Sequence, residues 1–199
     1  MKTLVITGGI GSGKTRVCSY LASKGIPVYD SDSRTKALYD ECPEMLSRVE
    51  ETLGFRFRTE EGAFDRAALA SVVFNDSEAL AGLESIVHPC VLEDFAKWRD
   101  SAPEGTPFVV FESAIFLMKP MFRSIADKVL LVDAPWEVRL ARVVRRKGMD
   151  EEKALSRMRM QSIDRSGADA VIMNDSDIES LNAAVDAALI ELKMFKKMK

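Results

Sequence analysis

The feature that most constrains this chain lies within its first fifteen residues. Thr3-Leu4-Val5-Ile6-Thr7 is β-branched and continuous rather than alternating, the habit of a strand buried on both faces of a parallel sheet. It runs directly into Gly8-Gly9-Ile10-Gly11-Ser12-Gly13-Lys14-Thr15, which fits G-x-x-x-x-G-K-[ST]. A helical pattern follows over Lys14–Lys24, with Val17, Cys18 and Leu21 on one face. Strand, glycine-rich loop and helix in that order make a cradle for phosphate. Glycine lets the backbone approach an anion closely with successive N–H groups turned inward, and the helix start adds partial positive charge. Gly9, Gly11, Ser12 and Gly13 are therefore expected to wrap the phosphates of a nucleotide. Lys14 should reach the β- and γ-phosphates, and the Thr15 hydroxyl should ligate Mg2+.

The rest of the chain alternates strands with helices. Ile26-Pro27-Val28-Tyr29 reads as a short second strand. From about Ser33 to Ala102 the signals are helical, with no long apolar strand. Pro43 stands as a first helical residue, Asp65 caps Arg66–Phe74, and Asp76/Ser77 opens a long helix. That helix carries Leu80, Leu83, Ile86, Val87, Val91, Phe95 and Trp98 on one face, with a bend expected at Pro89. Phe64, Leu69, Val73 and Phe74 are expected in the core. Strand character returns at Phe108–Phe111 ending in Glu112, at Val129–Val132 ending in Asp133, and at Ala170–Met173 ending in Asn174. Trp136–Lys147 is the clearest intervening helix. Parallel strands need crossover connections. The expected class is α/β, a P-loop three-layer α/β/α fold with a parallel sheet of about five strands, a helical substrate-binding insertion and a helical lid. Residues 1–32 and 103–199 would form the nucleotide-binding core, residues 33–102 the acceptor-binding insertion, and residues 139–165 approximately the lid.

Composition narrows the partners. No apolar run approaches the roughly 18 residues of a membrane span, and Leu4-Val5-Ile6 is far too short for a signal-peptide core. Cys18, Cys42 and Cys90 are widely spaced and form no CxxC pair, which argues against a disulfide framework or zinc site and for a reducing, cytoplasmic setting. A net charge of −3 gives no support to a nucleic-acid binder. That average hides a segregation. Arg139–Arg165 holds nine Lys/Arg against four Asp/Glu, a local +5 that leaves −8 for the remainder. Arg139, Arg142 and Arg145 recur every three residues along one helical stripe. The stripe is either a solvated charged face or a lid whose arginine forks hold the charge of a transferring phosphoryl group, Arg142 foremost, then Arg145 or Arg146. The tail of Lys193, Lys196, Lys197 and Lys199 with Phe195 reads as a solvated helix end.

Phosphate binding alone names no reaction. The strand end Met173-Asn174-Asp175-Ser176 lacks the Lys of a guanine-selecting N-K-x-D, and the chain is short for a motor ATPase. A small phosphotransferase fits size and layout best. Asp32 sits just beyond a strand end, the edge where open α/β sheets bind ligands; position alone divides it between general base and helix cap. Asp30 beside it serves a cap or turn as readily as a function, and Asp133 turns the chain before Pro135. Glu112 ends the strand expected beside the phosphate loop, so it either holds Mg2+ through water, contacts the acceptor, or is a plain strand end.

These residues resemble the dephospho-coenzyme A kinase family, which phosphorylates the ribose 3′-hydroxyl of dephospho-CoA. The likeness is carried by Thr7–Lys14, by Gly25-Ile26-Pro27-Val28-Tyr29-Asp30-Ser31-Asp32, and by Gly62-Ala63-Phe64-Asp65-Arg66 with Val73-Phe74. Leu83-Glu84-Ser85-Ile86-Val87-His88-Pro89, Gln161, Ala168-Asp169 and Ile172-Met173-Asn174 extend it over nearly the whole chain. The resemblance implies ATP as co-substrate, Mg2+, and formation of coenzyme A and ADP in the final step of CoA biosynthesis. It implies Asp32 as the base, with Lys14 and Arg142 at the transferred group. Arg145 and Asn174 would join them on the ATP side, and His88, the only histidine, would make a substrate-side contact or a fold-organising hydrogen bond. Glu112 departs from the family's usual Asp. Arg16 stands where a small hydroxyl residue is frequent, as a phosphate donor or as helix surface. A nucleoside or nucleotide kinase of the same architecture, and a non-catalytic ATP-binding regulatory module, are the alternatives. No pattern in the sequence speaks to oligomeric state.

Overall fold

The computed structural model describes residues 1–74, 76–147, 150–159, 161 and 164–195. Residues 148–149, 160 and 162–163 of the expected lid, the Arg146 side chain, and Lys196, Lys197 and Lys199 lie outside the described residues.

Strand β1 (Lys2–Thr7) leads through the glycine loop into α1 (Lys14–Ser23) and then β2 (Val28–Asp30). Helices α2 (Ser31–Glu41), α3 (Pro43–Leu53), α4 (Arg66–Val73) and α5 (Ser77–Asp100) follow before β3 (Phe108–Glu112). Then come β4 (Lys128–Asp133), α6 (Trp136–Lys147), α7 (Glu151–Arg159), β5 (Ala170–Met173) and α8 (Ile178–Glu191). All strand pairs are parallel, in the order β2-β3-β1-β4-β5. The chain leaves β1 toward β2 on one side and later places β4 on the other. The C-terminal end of β1 is thus a switch point, where a doubly wound sheet opens a crevice for ligands.

The chain divides into two compact units, residues 1–30 with 102–199 and residues 31–101. In the first, helices α1 and α8 cover one sheet face. Val17 and Leu21 of α1 and Leu181, Val185 and Leu189 of α8 pack on Leu4, Ile6, Phe108, Val110, Leu130 and Val132. The alternate residues Val5, Val109, Phe111, Val129 and Leu131 are fully buried as well, which is why these strands read as continuous apolar runs. Each such side chain contributes about 1.5–3 kcal/mol when fully buried. Phe122, in the short helical turn Pro120–Ile125, packs on Phe111 with ring centroids 6.0 Å apart. Carboxylates cap the starts of two strands: Thr3 N–H donates to Asp127 and Val129 N–H to Asp169.

The second unit is helical. Pro43 opens α3, Asp65 accepts from the amides of Ala67 and Ala68, and Asp76 from those of Glu78 and Ala79, as the sequence predicts. Arg34 of α2 pairs with Asp94 of α5 through Nε at 3.0 Å and Nη2 at 2.9 Å. The same guanidinium reaches Glu41 at 2.9 Å.

Several expectations are corrected. Strand β2 begins at Val28, because Pro27 has no N–H to give; its carbonyl accepts from Val110 N–H instead. Helix α4 stops at Val73, and Phe74, expected in the core, is 76% exposed. Leu80 is exposed too; it lies two residues before Gly82, where α5 meets Thr52 and Leu53 of α3. The tail is not solvated from its start. Lys193 turns the chain at φ 55°, Met194 is buried, and Phe195 packs edge-on against Phe108.

Candidate active site

The phosphate loop leaves β1 against the β4 backbone. Gly8 has φ 144°, and a Cβ there would lie 2.1 Å from the Val132 carbonyl oxygen. Gly13, at φ 106°, opens α1; a Cβ there would lie 2.0 Å from Asn174 Nδ2. No side-chain-bearing residue fits either place without moving the neighbour. Within the loop, Ser12 N–H donates to Gly9 O, and the Lys14 ammonium lies over the carbonyls of Gly8 at 2.9 Å and Gly9 at 3.4 Å.

Side chains from two strand ends reach this loop. Asn174, just past β5, donates from Nδ2 to Ser12 O at 2.8 Å and accepts at Oδ1 from Arg142 Nη2 at 3.3 Å. Thr15, at the second residue of α1, donates from Oγ1 to Glu112 Oε1 at 3.3 Å. Glu112 stands in register with Ile6 of β1 and Asp30 of β2. Burial, above all, pushes its carboxyl above the ordinary value; Asp30 adds to this, while Cys18, Lys14 and Thr15 oppose it. Burial and the Glu112 charge in turn hold the Cys18 thiol protonated. Arg139 is 6% exposed and donates from Nε to Ile10 O at 3.0 Å, and Ile10 N–H donates to Gln161 Oε1 at 2.6 Å. Burial pushes the Arg139 guanidinium down, with Asp133 opposing. Asp133 does turn the chain, accepting from Ala134 N–H, and it also pairs with Arg165.

Three buried donors, Ser12 Oγ, Arg139 Nη2 and Arg142 Nη1, have no hydrogen-bond partner among the described residues. Unsatisfied buried donors around one loop are what an incoming polyanion satisfies. Thr15 and Glu112 offer hard oxygens close together, and no cluster of three His, Cys, Asp or Glu exists among the described residues. That donor set suits Mg2+ shared with substrate phosphates.

The structure therefore gathers Gly9, Gly11, Ser12, Gly13, Lys14, Thr15, Glu112, Arg142 and Asn174 around one loop. It leaves Arg16 exposed on α1 and Arg145 exposed on α6, neither bonded to the loop among the described residues. Asp32 and His88 belong to the helical unit. Helix α2 begins at Ser31, so Asp32 lies inside the first turn and not at the cap, where a carboxylate still favours the helix N-terminus. His88 is buried within α5. Sequence reasoning passed over Arg139 as one member of a stripe and gave Gln161 no partner. Only the fold brings both to Ile10, across 129 and 151 residues of sequence.

The profile of the dephospho-CoA kinase family matches residues 3–180. A dephospho-CoA kinase from Porphyromonas gingivalis is 39% identical over 178 residues, covering 87% of this chain and 86% of that protein. A crystal structure of a Thermus thermophilus protein superposes with a TM-score of 0.81 at 34% identity, covering 96% of this chain and 97% of that one. A dephospho-CoA kinase structure from Campylobacter jejuni, 23% identical with a TM-score of 0.67 over 96% of this chain and 98% of its own, shares the fold. With strand, loop, helix and strand-end residues all in place beneath that match, the chain belongs to the dephospho-CoA kinase family.

Proposed function

We propose that this chain transfers the γ-phosphoryl group of ATP to the ribose 3′-hydroxyl of dephospho-CoA, giving coenzyme A and ADP in the last step of CoA biosynthesis. A phosphate loop alone names no acceptor. The observation that carries this reading is the extent of the family match, which runs through both the loop and the helical unit.

The residues divide the work. The loop residues Gly9, Gly11, Ser12 and Gly13 and the Lys14 ammonium hold the phosphates and neutralise charge on the group in flight. Arg142, tied to the loop through Asn174, turns its remaining N–H groups to the same anion, with Arg145 and Arg16 as outer donors. Thr15, and Glu112 through water, are the residues that would hold Mg2+, which when bound would supply neutralisation of phosphate charge. Asp32 orients the 3′-hydroxyl and takes its proton as the new O–P bond forms and the bond to the leaving ADP oxygen breaks. His88 and Glu112 serve the acceptor. Three cysteines, all free, support a reducing cytoplasmic setting. No helix among the described residues is long and apolar enough to cross a membrane. The negative net charge favours small-molecule partners over nucleic acid.

The test is ADP release from ATP and Mg2+ with a panel of acceptors, followed by location of the new phosphate by NMR. Turnover with dephospho-CoA and a phosphate on the 3′-oxygen is expected. Turnover with a nucleoside or nucleotide but none with dephospho-CoA points to the sister kinase; ATP binding without turnover on any acceptor points to a regulatory module.

A further inference from the structure

Two side chains outside the phosphate-loop motif hold consecutive peptide planes of that loop. Ile10 N–H donates outward to Gln161 Oε1 at 2.6 Å. The same peptide's other end, Gly9 O, accepts from Ser12 N–H and Lys14 Nζ within the loop. The next peptide carries Ile10 O, which accepts from Arg139 Nε at 3.0 Å. No described peptide bond is cis, and across a trans peptide C=O and N–H point in opposite directions. A guanidinium outside the loop that fixes Ile10 O therefore fixes Gly11 N–H pointing the other way. Gly11 lies against the Arg139 backbone at φ 80°, where an added Cβ would lie only 2.5 Å from the Arg139 carbonyl oxygen, so the close approach requires glycine.

We propose that Arg139 and Gln161 are positioning residues for phosphoryl transfer, which together set the two peptide planes flanking Ile10 and aim Gly11 N–H at the nucleotide's phosphates. Flipping the Ile10–Gly11 peptide would present a carbonyl oxygen to the anion instead of a donor. A buried guanidinium is a costly way to hold a carbonyl. Arg139 is 6% exposed, and the nearby Asp133 is engaged by Ala134 N–H and by Arg165. Its Nη2 has no partner among the described residues. A polyphosphate in the loop supplies the missing counter-charge, so the cost of Arg139 is offset when the site is filled. The inference rests on the reading that this loop binds ATP.

The experiment measures ATP affinity by calorimetry without acceptor, melting temperature, and steady-state kinetics with dephospho-CoA. It compares the wild type with Arg139→Met, Arg139→Lys, Gln161→Ala and the double variant Arg139→Met/Gln161→Ala. Losing a charge-assisted hydrogen bond should weaken ATP binding about tenfold in Arg139→Met, with kcat reduced and KM for dephospho-CoA unchanged. Arg139→Lys, which can still donate to Ile10 O, should recover most of the loss. The double variant should lose less than the product of the single losses, because both residues act on one segment. The proposal is overturned if Arg139→Met only melts lower while its folded form keeps wild-type ATP affinity and kcat, if Arg139→Lys is as impaired as Arg139→Met, or if the two losses simply multiply. Should Arg139→Met fail to fold, the Lys and Gln161 variants decide alone. A wild type that binds ATP yet leaves dephospho-CoA untouched overturns the acceptor assignment and leaves the binding comparisons to decide on Arg139.

Discussion

In the core unit, the groups proposed to meet phosphate are mostly backbone, shaped by glycines and bonded by Asn174 and Arg139. In the helical unit the polar order is made of side chains that satisfy one another. Arg34 joins Asp94 and Glu41, Arg58 joins Glu50, Arg66 joins Asp40, and Tyr39 stacks on Phe64 at 4.2 Å. Around the loop, buried donors have no hydrogen-bond partner among the described residues, whereas Arg34, Arg58 and Arg66 of the helical unit are bound up in ion pairs. An unsatisfied donor is unstable until a ligand arrives, and a paired one is spent on the fold. Substitutions around the loop should therefore be read in ligand affinity and turnover, and those in the ion pairs of the helical unit in stability.

The largest effect that would break this contrast is at Lys14. Lys14→Ala should lower kcat/KM about 1000-fold and weaken ATP binding in parallel, with little change in melting temperature. A folded Lys14→Ala protein with normal ATP affinity would remove the loop from the mechanism.

Glu112→Gln comes next and has two opposed readouts. Its carboxyl is raised above 4.5 mainly by burial, so the protonated form is favoured in the folded state. That contribution favours folding below pH 4.5 and is lost as pH rises through the raised value. At neutral pH the amide should thus raise the melting temperature of the nucleotide-free protein while lowering turnover about 100-fold by removing a metal-side oxygen. A substitution that left both unchanged would reduce Glu112 to a strand end.

Asn174→Ala releases Ser12 O and Arg142 together, and should raise KM for ATP about tenfold with a smaller change in kcat. Titration of initial rates against ATP checks it. Smallest is Arg34→Ala. Its half-exposed ion pairs should cost about 1 kcal/mol in urea unfolding, with ATP affinity intact. A large loss of ATP affinity there would erase the distinction between the units.

The difference between the regions also decides what can be read from sequence. The phosphate loop announces itself because backbone catalysis demands glycine at fixed places, and Gly8 and Gly13 have nowhere to put a Cβ. Helix starts were legible for the same local reason: Asp65 and Asp76 accept from amides within three residues of themselves, and Pro43 fixes its own φ at the first helical position. The helix Trp136–Lys147 was legible in full from its apolar and basic stripes. What depends on distant partners was not. Arg139 reads in sequence as one member of a stripe, solvated face or lid, whereas α6 brings it onto Ile10; Phe74 reads as core, whereas α4 ends at Val73 just before it. Asp32 is not the cap because strand β2 passes into α2 without a linker, so the helix begins at Ser31, two residues earlier than the expected Ser33.

The central claim is a division of labour, with ATP held by the loop and the acceptor activated by Asp32. Asp32→Asn tests it most directly, by calorimetric titration with ATP alongside the rate of coenzyme A formation. The account predicts ATP affinity within about twofold of wild type and turnover with dephospho-CoA reduced at least about 100-fold. Unchanged turnover, or a loss of ATP affinity as large as the loss of rate, would contradict it.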